Sequence, residues 1–320
     1  MLRRRRAGRK LLRAFLPVVA LLLFGLCGWV WWLVTAVAHP TSRPYLVTPD
    51  KYFVPIKATD EHWPNDDGTE ARGWVLRGAE GAPAVILLHS YGADRSWLLN
   101  LGVKINEATN CTVLWPDLRG HGQNALVSTT SFGTREAADT RAALAFLRTL
   151  KTSQGRTLVG RQIGLYGVEL GAYAALAASA PAPANDRPRA LVLDSIPAAP
   201  DALLHAAVKD RTGLDAELAY ALARLGVRCY FLGRYENAPA CTLAASLADT
   251  HVLLLTGADA GYLRDSTIAL ARCFPASTHA ELISDLPLTG RNTAAAPGEK
   301  GEAYDRRVID FFDRALRAEN

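Results

Sequence analysis

Glu169 stands between two glycines in the stretch GLYGVELG (164–171), after a short apolar run and ahead of a segment rich in alanine and leucine. A carboxylate at such a turn is either a nucleophile, which needs a base beside it, or an inert group favoured by the dipole of the helix it opens. Bases are scarce. The histidines are residues 39, 62, 89, 121, 205, 251 and 279, and none follows Leu282. Arg291 lies ahead of the last helical stretch, and a guanidinium stays protonated and cannot act as a general base. No Cys or His spacing resembles a zinc site and no glycine-rich phosphate loop is present, so no metal and no cofactor is expected.

The elements that would position these residues alternate from about Tyr45 onward between strand-like and helix-like segments. That is the pattern of an α/β domain with a mostly parallel sheet. Continuous apolar runs at Ala84–Leu88, Thr112–Trp115, Ile163–Tyr166, Ala190–Leu193 and Val252–Leu255 fit strands buried on both faces. Helices are expected over Thr134–Leu150, Leu170–Ala180 and Tyr304–Leu316, the last with Val308, Phe311, Phe312 and Leu316 on one stripe. Two segments break the rhythm. Residues 197–245 read as a helical cap inserted between strands, with Leu214, Leu218, Leu222 and Leu225 at helical spacing and Gly226 stopping the helix. Residues 287–303 are small, polar and interrupted by Gly and Pro, and read as a long mobile loop.

Four segments carry a specific likeness: AVILLHSYG (84–92) followed by Asp94-Arg95-Ser96, PDLRGHG (116–122), GLYGVELG (164–171) and ALVLDS (190–195). In this order and at these intervals the chain resembles the α/β-hydrolase superfamily, in its esterase and serine-peptidase-like branch, over about residues 70–318. The resemblance implies an α/β-hydrolase fold: a mostly parallel central sheet, helices on both faces and a small helical cap. It also implies site positions. Gly167 and Gly171 match the elbow glycines, needed where strand and helix pack too closely for a Cβ. The apex, a serine in the family pattern G-x-S-x-G, is Glu169 here. Ser90, Tyr91 and Leu170 match the oxyanion-hole positions. Asp259 matches the acid, with Asp194 as the alternative, and Arg291 falls where the family's Gly-His pair would place the base. His89 and His121 match structural positions of the family's HG and RGHG loops. His279, at the start of the last strand, falls at the end of the sheet away from catalysis.

These departures bear on activity. Relatives with Asp at the elbow attack alkyl carbons, and Glu is one methylene longer. Against an ester or amide a carboxylate would give a mixed anhydride, and its charge would oppose the charge that an oxyanion hole stabilises. Without a histidine, neither acid has a base to orient. An acid in place of Ser and an arginine in place of His put opposite charges where nucleophile and base would touch. Glu169 and Arg291 are therefore expected within about 4 Å of each other.

Charge and hydropathy set the location. The formal charge is +5, yet residues 1–13 hold six Arg and one Lys with no acid, so the tail's +7 leaves −2 for the rest of the chain. The footprint of a nucleic-acid binder is missing. Residues 14–38 carry no charge and are long enough to span a hydrocarbon core of roughly 30 Å as a transmembrane helix. Trp29, Trp31 and Trp32 cluster toward its far end. The positive-inside rule makes 1–13 a cytoplasmic tail, 39–45 a linker and 46–320 a domain outside the cytoplasm. A cleaved signal peptide ending at Ala36-Val37-Ala38 is the rival reading, although a signal's apolar region is normally about 7–15 residues. Either one exports the domain. The retained helix is expected to stand apart from a domain that starts near residue 45. Cys111 opens an apolar run and is expected as a buried thiol. Cys111, Cys229, Cys241 and Cys273 allow three pairings, and a Cys229–Cys241 bridge is one expectation because Gly233 and Pro239 between them let the chain turn back.

Together these readings give a membrane-anchored α/β-hydrolase-fold protein with a degenerate triad, retained for binding or scaffolding. Its partners would be the membrane and, through the cap, a small-molecule ligand or a membrane protein, with no nucleic acid. The alternative is an active hydrolase for an ester, amide or alkyl substrate, using Glu169 or another nucleophile such as Ser90.

Overall fold

The structure is a computed structural model that describes residues 2–40, 44–126, 129–183, 185–213, 215–293 and 298–317. Among these residues eight strands form one sheet: β1 (Thr59–Pro64), β2 (Glu70–Leu76), β3 (Ala84–Leu88), β4 (Thr112–Pro116), β5 (Ile163–Val168), β6 (Ala190–Asp194), β7 (His251–Gly257) and β8 (His279–Leu286). Their order is β1-β2-β4-β3-β5-β6-β7-β8. β2 pairs antiparallel with β1 and β4, and the ladder from β4 through β8 is parallel. The five apolar runs read from the sequence are β3 to β7. β3, β4, β5 and β6 are buried at every position, as strands covered on both faces must be. β1 and β2 gave no such run because they carry Asp60, Glu61 and Arg72 at the antiparallel end of the sheet.

Gly164 and Gly167 are three residues apart in β5 and therefore face opposite sides of the sheet. A Cβ on Gly164 would come 2.6 Å from Phe312 of α10 (Glu299–Arg317), and one on Gly167 would come 2.3 Å from the Gly171 backbone in α4 (Leu170–Ser179). Helices thus cover both faces. α2 (Leu99–Thr109) is tied to α10 by Lys104, whose Nζ lies 2.6 Å from both Glu302 and Asp305. α3 (Thr134–Thr149) packs beside α4. The chain docks on the sheet at Tyr45: its ring meets Trp74 edge-on at 5.2 Å and its hydroxyl donates to Asp117 at 2.7 Å.

The chain divides into two compact units, one of His39–Leu203 with Glu236–Asn320 and the other of Met1–Ala38 with Leu204–Tyr235. The first holds the sheet. In the second, α1 (Leu2–Ala38) is one continuous helix, of which Phe15–Ala38 is long and apolar enough to cross a membrane. α5 (Pro200–Thr212) leads to α6 (Glu217–Tyr230), and α6 packs against α1. Two expectations fail here. The apolar helix does not stand apart from the rest of the chain, and Gly226 does not stop α6. A Cβ on Gly226 would come 2.6 Å from Val34 and 2.8 Å from Val30, so the missing side chain lets the two helices approach. That packing offsets the roughly 1 kcal/mol that Gly costs inside a helix. The buried side of α6 is formed by Ala219, Ala223 and Val227, while Leu218 and Leu225 are exposed. Leu214 lies outside the described residues.

The expected Cys229–Cys241 bridge is replaced by Cys241–Cys273, with Cα atoms 5.2 Å apart. Cys241 lies on α7 (Ala240–Ala244) and Cys273 just beyond α8 (Leu263–Leu270), and these two helices pack together. Cys229 is an exposed thiol on α6, in the other unit, and Cys111 is a buried one. Residues 287–303 are not one long loop. They contain α9 (Gly290–Thr293) and the first turn of α10, which starts at Glu299. Residues 41–43 of the expected linker and 294–297 of the expected loop lie outside the described residues.

Candidate active site

Within the sheet unit the candidate residues gather at the carboxyl ends of the parallel strands, the edge where open α/β sheets bind ligands. Glu169 joins β5 to α4 with φ 50° and ψ −104°. A non-glycine residue in that region is strained by about 1–3 kcal/mol and must be held there by its surroundings. Its amide donates to the Asp194 carbonyl at 2.9 Å, and its carbonyl accepts from Tyr173 at 3.0 Å to start α4. Gly167 and Gly171 make the corner feasible. A Cβ on Gly171 would lie 2.2 Å from the Leu88 carbonyl oxygen, so α4 begins against the end of β3.

The Glu169 side chain is only 10% exposed. Nη1 of Arg291 lies 3.0 Å from its Oε1 and 3.2 Å from its Oε2, within the expected limit. Burial pushes the Glu169 carboxyl up, the nearby Arg291 guanidinium draws it back down, and Asp259 adds a smaller upward push. The guanidinium side chain is 53% exposed, so water screens this pair from one side.

Asp259 and Asp194 both fasten the segment that carries Arg291. Asp259 accepts from the Thr289 amide at 2.8 Å, the Thr289 hydroxyl at 3.1 Å and the Asn292 side-chain amide at 2.6 Å. Asp194 accepts from the Gly290 amide, the Tyr304 hydroxyl and the Ser195 hydroxyl, and the Tyr166 hydroxyl lies 2.8 Å from that of Tyr304. Burial raises Asp194 to about 6 against the pull of these donors. No local pattern marks Tyr304 for this role, because it stands 110 residues from Asp194. Thr289 and Asn292 flank Gly290-Arg291 and were within reach of a local reading, as polar groups able to hold that turn.

Ser90 and Tyr91 follow β3, whose Leu88 pairs with Gly167, so they share the strand ends with Leu170, the first residue of α4. Two histidines hold this loop by hydrogen bonds to its backbone. His89 donates from Nδ1 to the Ser90 carbonyl at 2.8 Å and accepts at Nε2 from the Leu118 amide at 3.0 Å. His121 likewise donates to the Arg119 carbonyl at 2.8 Å and accepts from the Gly92 amide at 3.0 Å. Burial lowers the pKa of His89 to about 4 and of His121 to about 3. His251 and His279 stack at 5.0 Å where β7 and β8 begin, at the opposite end of these strands from Asp259 and Arg291. Among the described residues no group of three His, Cys, Asp or Glu side chains is placed to hold a metal ion.

Solved structures with this architecture include an esterase from Pyrococcus furiosus, with a TM-score of 0.63 and 18% identity over 87% of this chain and 99% of the esterase. The α/β hydrolase GrgF from a Penicillium species gives 0.57 and 17%, over 82% of this chain and 100% of its own. A dienelactone hydrolase from Anabaena variabilis gives 0.54 and 14%, over 82% and 99%. No protein-family profile matches the chain, and neither does any curated protein. The chain has the α/β-hydrolase fold, with one N-terminal apolar helix added. At these identities the likeness is one of fold, and chemistry has to be argued from the site.

Proposed function

We propose that this is a membrane-anchored protein of the esterase and serine-peptidase-like α/β-hydrolase branch whose triad has degenerated, and that it binds or scaffolds without turnover. The Glu169–Arg291 pair carries this reading. A cation that cannot act as a base stands against the residue at the nucleophile position, and the two acids that could orient a base hold its loop instead. The Cys241–Cys273 bridge supports a domain exported to an oxidising compartment, with the basic tail in the cytoplasm.

The full chain in lipid nanodiscs, offered ester, amide and haloalkane substrates and a serine-directed phosphonate, should show neither turnover nor a covalent adduct. A stoichiometric adduct on any serine of the folded protein would overturn this reading. Protease added outside intact cells should cut from residue 45 onward, and cytoplasmic protection would reverse the topology.

One observation favours a second reading. Glu169 keeps the strained φ of an elbow residue, a geometry that a carboxylate nucleophile attacking an alkyl carbon would use. Halide release that is lost in Glu169→Gln would select it.

A further inference from the structure

The exposed side of α6 is apolar. Leu218 is 72% exposed, Leu225 61%, and Leu232, just past the helix, 86%. Leu218, Leu222 and Leu225 follow the i, i+4, i+7 spacing of one helix face. Between Glu217 and Glu236 the segment has no acid, and it carries Arg224, Arg228 and Arg234. An apolar stripe with a cationic flank is the make-up of a helix that lies in a bilayer interface.

α1 supplies the ruler. At 1.5 Å per residue from Phe15, Val30, Trp31 and Val34 stand about 22–29 Å into a hydrocarbon core of roughly 30 Å. α6 packs on these residues: Gly226 lies against Val30 and Val34, and the Tyr230 ring is 5.8 Å from that of Trp31. The C-terminal half of α6 therefore reaches about 1–8 Å below the outer face of the core, close to the roughly 5–10 Å typical of interfacial helices. The apolar surface is also continuous. Leu26, Trp31 and Val34 of α1 line one cleft with Leu222, Leu225 and Leu232.

We propose that α6 and the turn Phe231–Gly233 are embedded in the outer leaflet beside α1. Leu218, Leu225 and Leu232 lie among acyl chains, and the exposed Arg228 reaches the phosphate level. This rests on the reading of α1 as a membrane-spanning anchor. It makes the middle of the cap a second membrane contact and not a protein-docking face.

The test uses the full chain with Cys27→Ser and Cys229→Ser, Cys111 being buried. Single cysteines at Leu22, Leu225 or Leu232 carry an environment-sensitive fluorophore in phosphatidylcholine–phosphatidylglycerol vesicles. All three probes should be quenched by spin-labelled acyl chains and protected from aqueous iodide. If residue 22 behaves so while 225 and 232 respond to iodide, the proposal fails and the anchor stands. If residue 22 also responds to iodide, both fail. Probes at 225 and 232 shielded from both quenchers would mean that protein covers α6, which overturns the proposal in favour of a docked partner or a second copy.

Discussion

One nitrogen of Arg291 straddles both carboxylate oxygens of Glu169, at 3.0 and 3.2 Å, on the corner where β5 turns into α4. The carboxylate is buried and the guanidinium is half in water, so the pair is neither a surface ion pair of negligible worth nor a fully desolvated one.

Arg291→Ala leaves the buried carboxyl without its cation. The expected loss in a denaturant melt is about 1–3 kcal/mol, below the roughly 3–5 of a fully buried pair because water already reaches one partner. Glu169→Ala combined with Arg291→Ala should lose less than the sum of the single losses, as contacting residues do. An Arg291→Ala variant that melts like the parent would remove the pair from any account of stability.

Glu169→Ser alone should stay unreactive toward phosphonate, since no base accompanies the new hydroxyl. Adding Arg291→His places an imidazole on a turn that Asp259 already holds. The double variant should label faster than Glu169→Ser by about 10²–10⁴, the usual range for a positioned general base. Equal labelling, followed by intact-mass spectrometry, would mean that residue 291 does not overlie the base position.

Buried groups in the sheet unit titrate with opposite signs. Asp194 is raised to about 6, so its contribution to stability is full below the unfolded value near 3.9 and is lost as pH rises through 6. His89 and His121 are lowered to about 4 and about 3, so theirs is full above the unfolded value near 6.5 and is lost as pH falls through the folded values. Melting temperatures across this range should therefore separate two variants. Asp194→Asn should remove a decline with rising pH, and His121→Gln a decline with falling pH. Parallel profiles for parent and both variants would contradict these assignments.

Reducing the Cys241–Cys273 bridge, which spans 32 residues, should lower stability by about 3–4 kcal/mol on the loop-entropy account. Cys229→Ser should leave the non-reducing melt unchanged, because that thiol is free. A non-reducing melt lowered by Cys229→Ser as much as by reductant would restore the other pairing, and a melt that ignores reductant would remove the bridge from the account of stability.

The parallel strands and the tight corner between β5 and α4 were legible because they are written locally. A run such as Ala84–Leu88 is apolar at every position because both its faces are covered, and Gly167 and Gly171 are small because two backbones meet there. Opposite charges at 169 and 291 were legible as a pair only through the order of four motifs along the chain. Tertiary structure decided the rest. β1 and β2 owe their pairing to an antiparallel end of the sheet that asks for no continuous apolar run. Gly226 reads as a stop in isolation and becomes a contact point once Val30 and Val34 lie opposite it. Cys241 could be matched with Cys273 only when α7 and α8 were packed, because a disulfide depends on Cα separation and not on spacing along the chain. Tyr304 reaches Asp194 only after the last helix has folded back on the sheet, a long-range contact that no local pattern encodes.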